Sequence, residues 1–187
     1  MNVKGSALIH GRAWIEERFG QQALARFEEG LDPARREVIQ STLRGHSWYP
    51  VSLWNAMAEA VSEAGGPDAL REFAREVAQR DLSIAYRVLL SVGSPTILFR
   101  RAGLFWNKYF DGGVFESIPE GERRFRNYLR AGTDGKSDPA RLTCDVAIPA
   151  WQEQSLALAG ASGGRSRHVR CRFDGAPACE FEVTWDS

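Results

Sequence analysis

Apolar residues recur at helical spacing through the first two-thirds of the chain. Over residues 47–61, SWYPVSLWNAMAEAV, one apolar face runs from Val51 to Val61, and this period is typical of a buried helix. Residues 67–82 repeat the pattern after a Gly-Gly-Pro break. Because glycine and proline interrupt helices, the sequence predicts separate helices here. It also predicts that residues 1–111 are mainly helical.

The period changes after this helical part. The segments VFESI and ERRFRNYLR flank a Pro-Glu-Gly turn, which predicts a β-hairpin. A helix is predicted to begin at Asp138 and to end near Ala159, with Pro149 kinking it or beginning a new helix. A Gly/Ser-rich loop follows it. Residues 112–187 are therefore predicted as a hairpin, a long helix and a C-terminal hairpin.

The last hairpin, HVRCRFDGAPACEFEVTW, alternates apolar and polar residues around a turn centred on Gly175. In this register Arg170 faces Glu180, and Val169 faces Phe181. Side chains alternate between the two faces of a strand, so one face is apolar and the other is polar. The apolar face carries Val169, Cys171, Cys179, Phe181, Val183 and Trp185. The polar face carries His168, Arg170, Arg172, Glu180, Glu182 and Thr184.

Composition narrows the class of protein. The chain has 187 residues, which suits one hydrophobic core, and we expect a single domain over residues 1–187. Its 24 Lys and Arg balance its 24 Asp and Glu, which argues against a nucleic-acid partner or an anionic membrane surface. The N-terminus lacks the pattern of a secretory signal, and no apolar stretch is long enough to span a membrane. We therefore expect a cytoplasmic protein.

The three cysteines leave three interpretations open. Thiols are seldom bridged in a reducing cytoplasm, and Cys171 and Cys179 face the layer where the helices lie, with Cys144 able to meet them. Three thiolates and a fourth ligand would form a tetrahedral metal site, but His168 points to the other face unless a β-bulge re-aims it. The facing cysteines are otherwise ordinary core residues, or a disulfide or redox pair.

The tail pattern C-x-x-x-G-x-x-x-C-x-F, which begins at Cys171, resembles the C-terminus of 4-vinyl-reductase-type domains. These are small-molecule sensory domains of aromatic-responsive transcriptional activators and of photosynthetic-pigment proteins. Over nearly its whole length the chain also resembles a bacterial family of similar size that is abundant in myxobacteria. The segments that carry this second resemblance are VKGSALIHGRAWIEERFG, SWYPVSLW, YRVLLSVGSP, LFWNKYFDGG and the tail.

The resemblance implies an α+β fold in which N-terminal helices pack on an antiparallel four-stranded sheet. This fold is shared with trafficking-complex subunits and with heme nitric-oxide sensor domains. In the sensory relatives an upstream cysteine, an acidic residue and two further cysteines hold a structural zinc ion. The matching positions here are Cys144, His168, Cys171 and Cys179. Imidazole replaces the carboxylate and is an equally good zinc ligand, so the resemblance implies a structural zinc site.

The sensory relatives also imply a ligand pocket between the helices and the sheet. Small-ligand sites are mostly apolar with a few placed polar groups, and a small apolar or aromatic ligand would suit such a pocket. The candidate lining residues are Tyr86, Trp106, Tyr109 and Phe110. Aromatic residues of this kind also build hydrophobic cores, and that alternative stays open.

We therefore expect a non-enzymatic sensory or regulatory domain that reports ligand binding through a homodimer or to a regulatory partner. One alternative is a protein–protein interaction module without a ligand, and another is a thiol-dependent oxidoreductase. Recognisable Ser/His/Asp spacing and a phosphate-binding glycine loop are both missing from the sequence, which weighs against an enzyme. His10 and His46 lack the characteristic heme-pocket motif around them, so heme is not predicted.

Overall fold

The computed structural model describes residues 1–92 and 94–187, with side chains for all of these except 83–92. The helices are α1 (Gly5–Phe19), α2 (Gln21–Gly30), α3 (Pro33–Gln40), α4 (Val51–Val92), α5 (Pro95–Arg100), α6 (Ala102–Tyr109) and α7 (Ile148–Leu158). The strands are β1 (Asn2–Lys4), β2 (Trp48–Pro50), β3 (Val114–Gly121), β4 (Arg124–Arg130), β5 (Arg165–Arg170) and β6 (Cys179–Thr184). A π-helical turn, Thr143–Ala147, precedes α7, and a 3₁₀ turn, Arg172–Asp174, lies between β5 and β6.

Helix α4 consists of two helices joined at a kink. Gly66 has a φ of 75°, which residues with a Cβ seldom adopt, and Pro67 follows it. The kink folds the two halves together, since the rings of Trp54 and Phe73 lie 5.2 Å apart, whereas nineteen residues of straight helix would separate them by about 28 Å. This is the break that the Gly-Gly-Pro sequence predicts. It lets both halves of α4 contribute to one interior.

Strands β3 to β6 form one antiparallel sheet in the order β3-β4-β6-β5. The inner face carries Phe125, Leu129, Phe181 and Val183, all fully buried, as the alternation of apolar residues along these strands requires. Helices cover that face, with α7 packed against both α4 and β5. The predicted α+β fold, with helices on an antiparallel four-stranded sheet, is confirmed. Within the described part of the chain, no helix has the length and apolar composition needed to cross a membrane.

The sequence does not predict the pair of short strands β1 and β2. They pair antiparallel, with Val3 opposite Tyr49, and each has three residues, too few to display an alternating pattern. The pairing matters because it holds the buried Val3 against the helices.

The helix near the C-terminus changes type before Pro149. The π-helical turn ends at Ala147, and Pro149 lies in the first turn of α7, where a helix does not need the N–H that proline lacks. The sequence prediction that Pro149 marks a new helix therefore agrees with the structure. Cys144 in the π-helical turn is fully buried.

Candidate functional site

A cavity of about 90 Å³ lies between the helices and the sheet. Nineteen of the described residues line it, and they come from β1, α1, α4, α5, α6, β3, the π-helical turn and α7. Most of these side chains are aliphatic or aromatic. A mostly apolar lining with a few polar groups is typical of small-ligand sites.

Three of the four predicted ligand residues line this cavity. Trp106, Tyr109 and Phe110 all contribute to its wall, whereas the side chain of Tyr86 lies outside the described residues. Trp106 stacks on Phe110 with ring centroids 4.2 Å apart and donates its Nε1–H to the carbonyl of Gly112 at 2.8 Å. The ring of Trp106 is therefore held in one orientation at the edge of the cavity.

Among the described residues of the lining, Asp81 is the acidic one. Its side chain is 2% exposed, and Oδ1 lies 2.7 Å from Nδ1 of His10. The other carboxylate oxygen, Oδ2, is buried and has no hydrogen-bond partner within the described chain. A buried carboxylate with one free oxygen beside a cavity suits a ligand that donates a hydrogen bond.

Two nitrogen atoms of other lining residues lack partners in the same way. Gln152 accepts a hydrogen bond from the Ser166 hydroxyl at 2.6 Å through its Oε1, but its Nε2 is buried without a partner among the residues described. Nε1 of Trp54 is also buried and unpaired there. Sequence reasoning missed Trp54, Asp81 and Gln152, because nothing in their spacing distinguishes them from other positions on amphipathic helices.

The second candidate site is the cysteine cluster, which lies where β5, β6 and the π-helical turn meet. One ligand-type atom from each of His168, Cys171 and Cys179 lies within 4.8 Å of the others. A β-bulge between His168 and Arg170 makes this possible. The bulge pairs His168 with Phe181 and turns the imidazole inward, so that the two rings stack at 4.8 Å.

The hairpin register therefore matches the sequence prediction in one part and departs from it in another. Arg170 faces Glu180 as predicted, but Phe181 faces His168 in place of Val169, because the bulge adds one residue to β5. The assignment of His168 and Arg172 to the polar face is also wrong. Arg172 is 4% exposed, since the 3₁₀ turn after Cys171 ends the strand alternation and directs this side chain inward.

Arg172 occupies the centre of the cysteine cluster. Its Nη1 donates to Sγ of Cys144 at 2.8 Å and to Sγ of Cys179 at 3.0 Å. Its Nε donates to the carbonyl of Gly132 at 2.8 Å, and its Nη2 donates to the carbonyl of Pro139. One guanidinium thus joins the loop before the π-helical turn, the turn itself and strand β6, using the fixed fork of donors that arginine offers.

These contacts set the charge of the cysteines. A hydrogen bond from Cys144 lowers the pKa of Cys179 to about 3, with further lowering by His168 and Arg172. The same hydrogen bond and burial raise the pKa of Cys144 well above its ordinary value. One thiolate and one thiol therefore lie side by side next to the guanidinium. This arrangement places negative charge on Cys179 and leaves the proton on Cys144.

The interactions of His168 in the cluster favour its protonated form. Burial alone would lower the pKa of His168, but its interactions with Cys179 and Asp145 outweigh burial and raise it. Nδ1 of His168 lies 2.7 Å from Oδ1 of Asp145. Its Nε2 has no partner with good hydrogen-bond geometry in the described residues, so we attribute the effect of Cys179 to charge rather than to an aligned hydrogen bond.

Comparisons with known proteins find the fold but no family. No family model matches the chain, and no curated protein matches it. Solved structures of H-NOX proteins, which have the heme nitric-oxide and oxygen sensor fold, are similar to it over almost the whole length. An H-NOX protein from S. oneidensis in the Fe(II)NO ligation state has a TM-score of 0.74 and 13% identity, covering 98% of this chain and 99% of that one. The H-NOX protein from K. algicida, Fe(II) unliganded, has a TM-score of 0.70 and 11% identity, covering 98% and 97%.

The prediction of a structural zinc ion is wrong. The H-NOX structures that this chain resembles are iron proteins. Within this chain, the positive charge between the sulfurs of Cys144 and Cys179 is the Arg172 guanidinium, which occupies the approach that a metal ion would need. The described atoms that lie within 4.8 Å of one another do not include Cys144, so the four-ligand set is not assembled.

The residues of the cavity do not fit a heme either. The described lining residues include no His, Cys or Met, the side chains that most often hold heme iron. Tyr109 lines the cavity, but its ring packs edge-on against Trp151 at 5.6 Å. A cavity of about 150 Å³ holds one benzene ring, so about 90 Å³ does not admit a macrocycle of four pyrrole rings. His10 is paired with Asp81, and His46 is exposed.

Proposed function

We propose that this chain is a sensory domain that binds a small, mostly apolar molecule in the cavity between its helices and sheet. The observation that carries the proposal is the cavity itself, which is lined by aromatic side chains and by three residues that each have a buried polar atom without a partner in the described chain. Protein interiors are normally packed as densely as organic crystals. A cavity of this kind therefore suits a guest molecule.

The fold supports a sensory role over an enzymatic one. H-NOX proteins with the same fold are sensors, and the tail pattern of the chain resembles that of 4-vinyl-reductase-type sensory domains. The three cysteines are buried, which weighs against the thiol-dependent oxidoreductase considered from the sequence, because reactive cysteines are usually partly accessible. We propose that the ligand is different in kind from heme, since the lining does not fit that group.

Helix α6 offers a route from the cavity to the surface. Its residues Phe105, Trp106 and Tyr109 line the cavity, while Leu104 on the same helix is 65% exposed. A ligand that moves the inner side of α6 also moves Leu104, because a short helix shifts as a unit. The predicted homodimer or regulatory partner would read such a shift, and it stays a prediction.

The six tryptophans provide the test. Trp54, Trp106 and Trp151 line the cavity, whereas Trp14, Trp48 and Trp185 do not. We expect titration with isopentane, followed by the indole N–H signals in two-dimensional NMR, to shift the first three signals and to leave the second three unchanged. Equal small shifts of all six signals would contradict the proposal, since they would indicate non-specific partitioning.

A matched pair of variants locates the binding. Val77 lines the cavity and Val61 does not, although both lie on α4 and both are 1% exposed. We expect Val77→Phe to abolish the isopentane shifts by filling the space, while Val61→Phe keeps them. Loss of the shifts in both variants, or in neither, would place the bound molecule outside this cavity.

A further inference from the structure

Three residues of the cavity lining each have a buried polar atom without a partner in the described chain, and these atoms form a complementary set. Oδ2 of Asp81 is an acceptor, whereas Nε2 of Gln152 and Nε1 of Trp54 are donors. All three residues line the cavity and are more than nine-tenths buried. Buried polar groups nearly always have a hydrogen-bond partner, so three exceptions in one lining point to a partner that the protein does not itself supply.

The other polar side chains of the lining provide an internal contrast. Thr143 donates its hydroxyl to Oδ1 of Asn55 at 3.3 Å, and Ser155 donates its hydroxyl to the carbonyl of Trp151 at 2.8 Å. Both hydroxyl groups therefore have a hydrogen-bond acceptor within the protein. The unpaired atoms are therefore confined to particular positions and do not reflect a generally polar lining.

The number of donors and acceptors restricts the ligand class. A hydroxyl group offers one donor and two acceptor lone pairs, which complements one free acceptor and two free donors. An ammonium group has no acceptor for Gln152 or Trp54. A carboxylate has no donor for Asp81 and would be repelled by its charge.

Resting on the function proposed above, we propose that the cavity binds a small uncharged molecule whose hydroxyl group donates a hydrogen bond to Asp81 and accepts one from Gln152. Nδ1 of His10 lies 2.7 Å from the other carboxylate oxygen of Asp81, so the ligand would bind on the side of Oδ2. The volume of about 90 Å³ restricts the ligand to a molecule of a few carbon atoms. The hydrocarbon part of the ligand is therefore short.

Three probes of the same shape test this assignment. Isobutanol, isopentane and isobutylamine differ only in the terminal group, which is a hydroxyl, a methyl or an ammonium. Dissociation constants are measured from the indole N–H signals of Trp54, Trp106 and Trp151. The quantity compared is the ratio of the isobutanol to the isopentane dissociation constant. A variant that changes the affinity for both probes equally leaves this ratio unchanged.

The variants isolate the hydrogen bonds. We expect Asp81→Leu to raise that ratio about tenfold or more, because a hydrogen bond to a charged group is lost, and Gln152→Met to raise it by a smaller factor. If the leucine variant folds poorly, the same ratio is measured for Asp81→Asn, which keeps the shape of the side chain. Thr143→Val is the matched control, since this residue lines the cavity but has its partner within the protein, and it should leave the ratio unchanged.

The outcomes separate this inference from the proposed function. If isopentane shifts the cavity tryptophans but the ratio is the same in wild type, Asp81→Leu and Thr143→Val, the hydroxyl assignment is overturned and the apolar site remains. Tightest binding of isobutylamine would overturn it in favour of a cationic ligand. If none of the probes shifts these signals, only water occupies the cavity, and both the inference and the proposed function fail.

Discussion

The cavity and the cysteine cluster meet at the same π-helical turn, but they differ in whether their buried polar atoms have hydrogen-bond partners. Thr143 and Ala147 of the turn line the cavity, and Cys144 between them belongs to the cluster. In the cluster, Arg172 donates to two sulfurs and two carbonyls. In the cavity, Asp81 leaves one oxygen without a partner in the described residues.

This difference indicates which of the two regions is suited to bind a ligand. The cluster closes on itself, because Sγ of Cys179 accepts a hydrogen bond from Arg172 and lies near His168, and a buried charge that has its partner within the protein avoids the large cost of an unpaired one. The cavity has both space and unsatisfied atoms. The residues that look most chemically active in the sequence thus have their partners within the protein, and the proposed ligand site includes less conspicuous ones.

The variant with the largest expected effect replaces Arg172, which lies at the centre of the cysteine cluster. We expect Arg172→Met to lower the free energy of unfolding by about 3–5 kcal/mol, as for other buried ion pairs that lose one partner. The thiolate of Cys179 and the carbonyl of Gly132 would lose a donor that is buried with them. Chemical denaturation of both proteins measures the difference.

The matched control for this variant is Arg170→Met. Arg170 pairs with Glu180 at 3.1 Å, but its side chain is 61% exposed, and exposed pairs contribute about 0–1 kcal/mol. A cost for Arg172→Met no larger than that of Arg170→Met would break the comparison, because the cluster would then not depend on its guanidinium.

A smaller effect is expected when the packing at two positions is compared directly. Val61 and Val77 belong to the same hydrophobic core, but Val61 does not line the cavity, and we expect Val61→Phe to cost about 1–3 kcal/mol through overpacking. Val77 borders the cavity, so Val77→Phe has space for the added ring and should cost less. Thermal unfolding of the two variants measures the difference, and an equal loss in both would indicate that the cavity is closed to a side chain.

The sequence predicts the fold well because its helices and strands are strongly periodic. The apolar faces of Val51–Val61 and of residues 67–82, the Gly-Gly-Pro break between them and the alternation of β6 all correspond to elements of the structure. The strands β1 and β2 cannot be predicted, because three residues are too few to show an alternating pattern of apolar and polar positions. The bulge at Val169 cannot be predicted either, because one inserted residue leaves no mark in the alternation.

The candidate sites were predictable to different degrees. Aromatic enrichment identifies Trp106, Tyr109 and Phe110 as lining residues, since a small-ligand site is mostly apolar. Asp81 could not be found, because its partner His10 lies on another helix and only the tertiary structure joins them. Strand alternation predicts an exposed Arg172, but this residue begins a 3₁₀ turn, where the alternation no longer applies.

The smallest expected effect concerns the charge of a single sulfur. Because the pKa of Cys179 is lowered to about 3, we expect the folded wild-type chain to keep one thiolate, visible in its ultraviolet difference spectrum, from neutral pH down to about pH 3. Cys179→Ala should lack this absorbance. Cys171→Ala is the matched control, because burial raises the pKa of Cys171 and this residue is a thiol at neutral pH, so its removal should leave the band unchanged.

The same thiolate links stability to pH with a definite sign. An unfolded cysteine has a pKa of about 8.5, so between about pH 3 and that value the unfolded chain binds one more proton than the folded chain at this position. The contribution of Cys179 to stability is therefore fully present above the unfolded pKa and is lost as the pH falls through this range towards the folded pKa. The raised pKa of His168 acts in the opposite direction, because its contribution is lost as the pH rises through that pKa. A thiolate band that disappears near the ordinary cysteine pKa would show that Arg172 and His168 do not hold charge on Cys179, and the cluster would then be a neutral core.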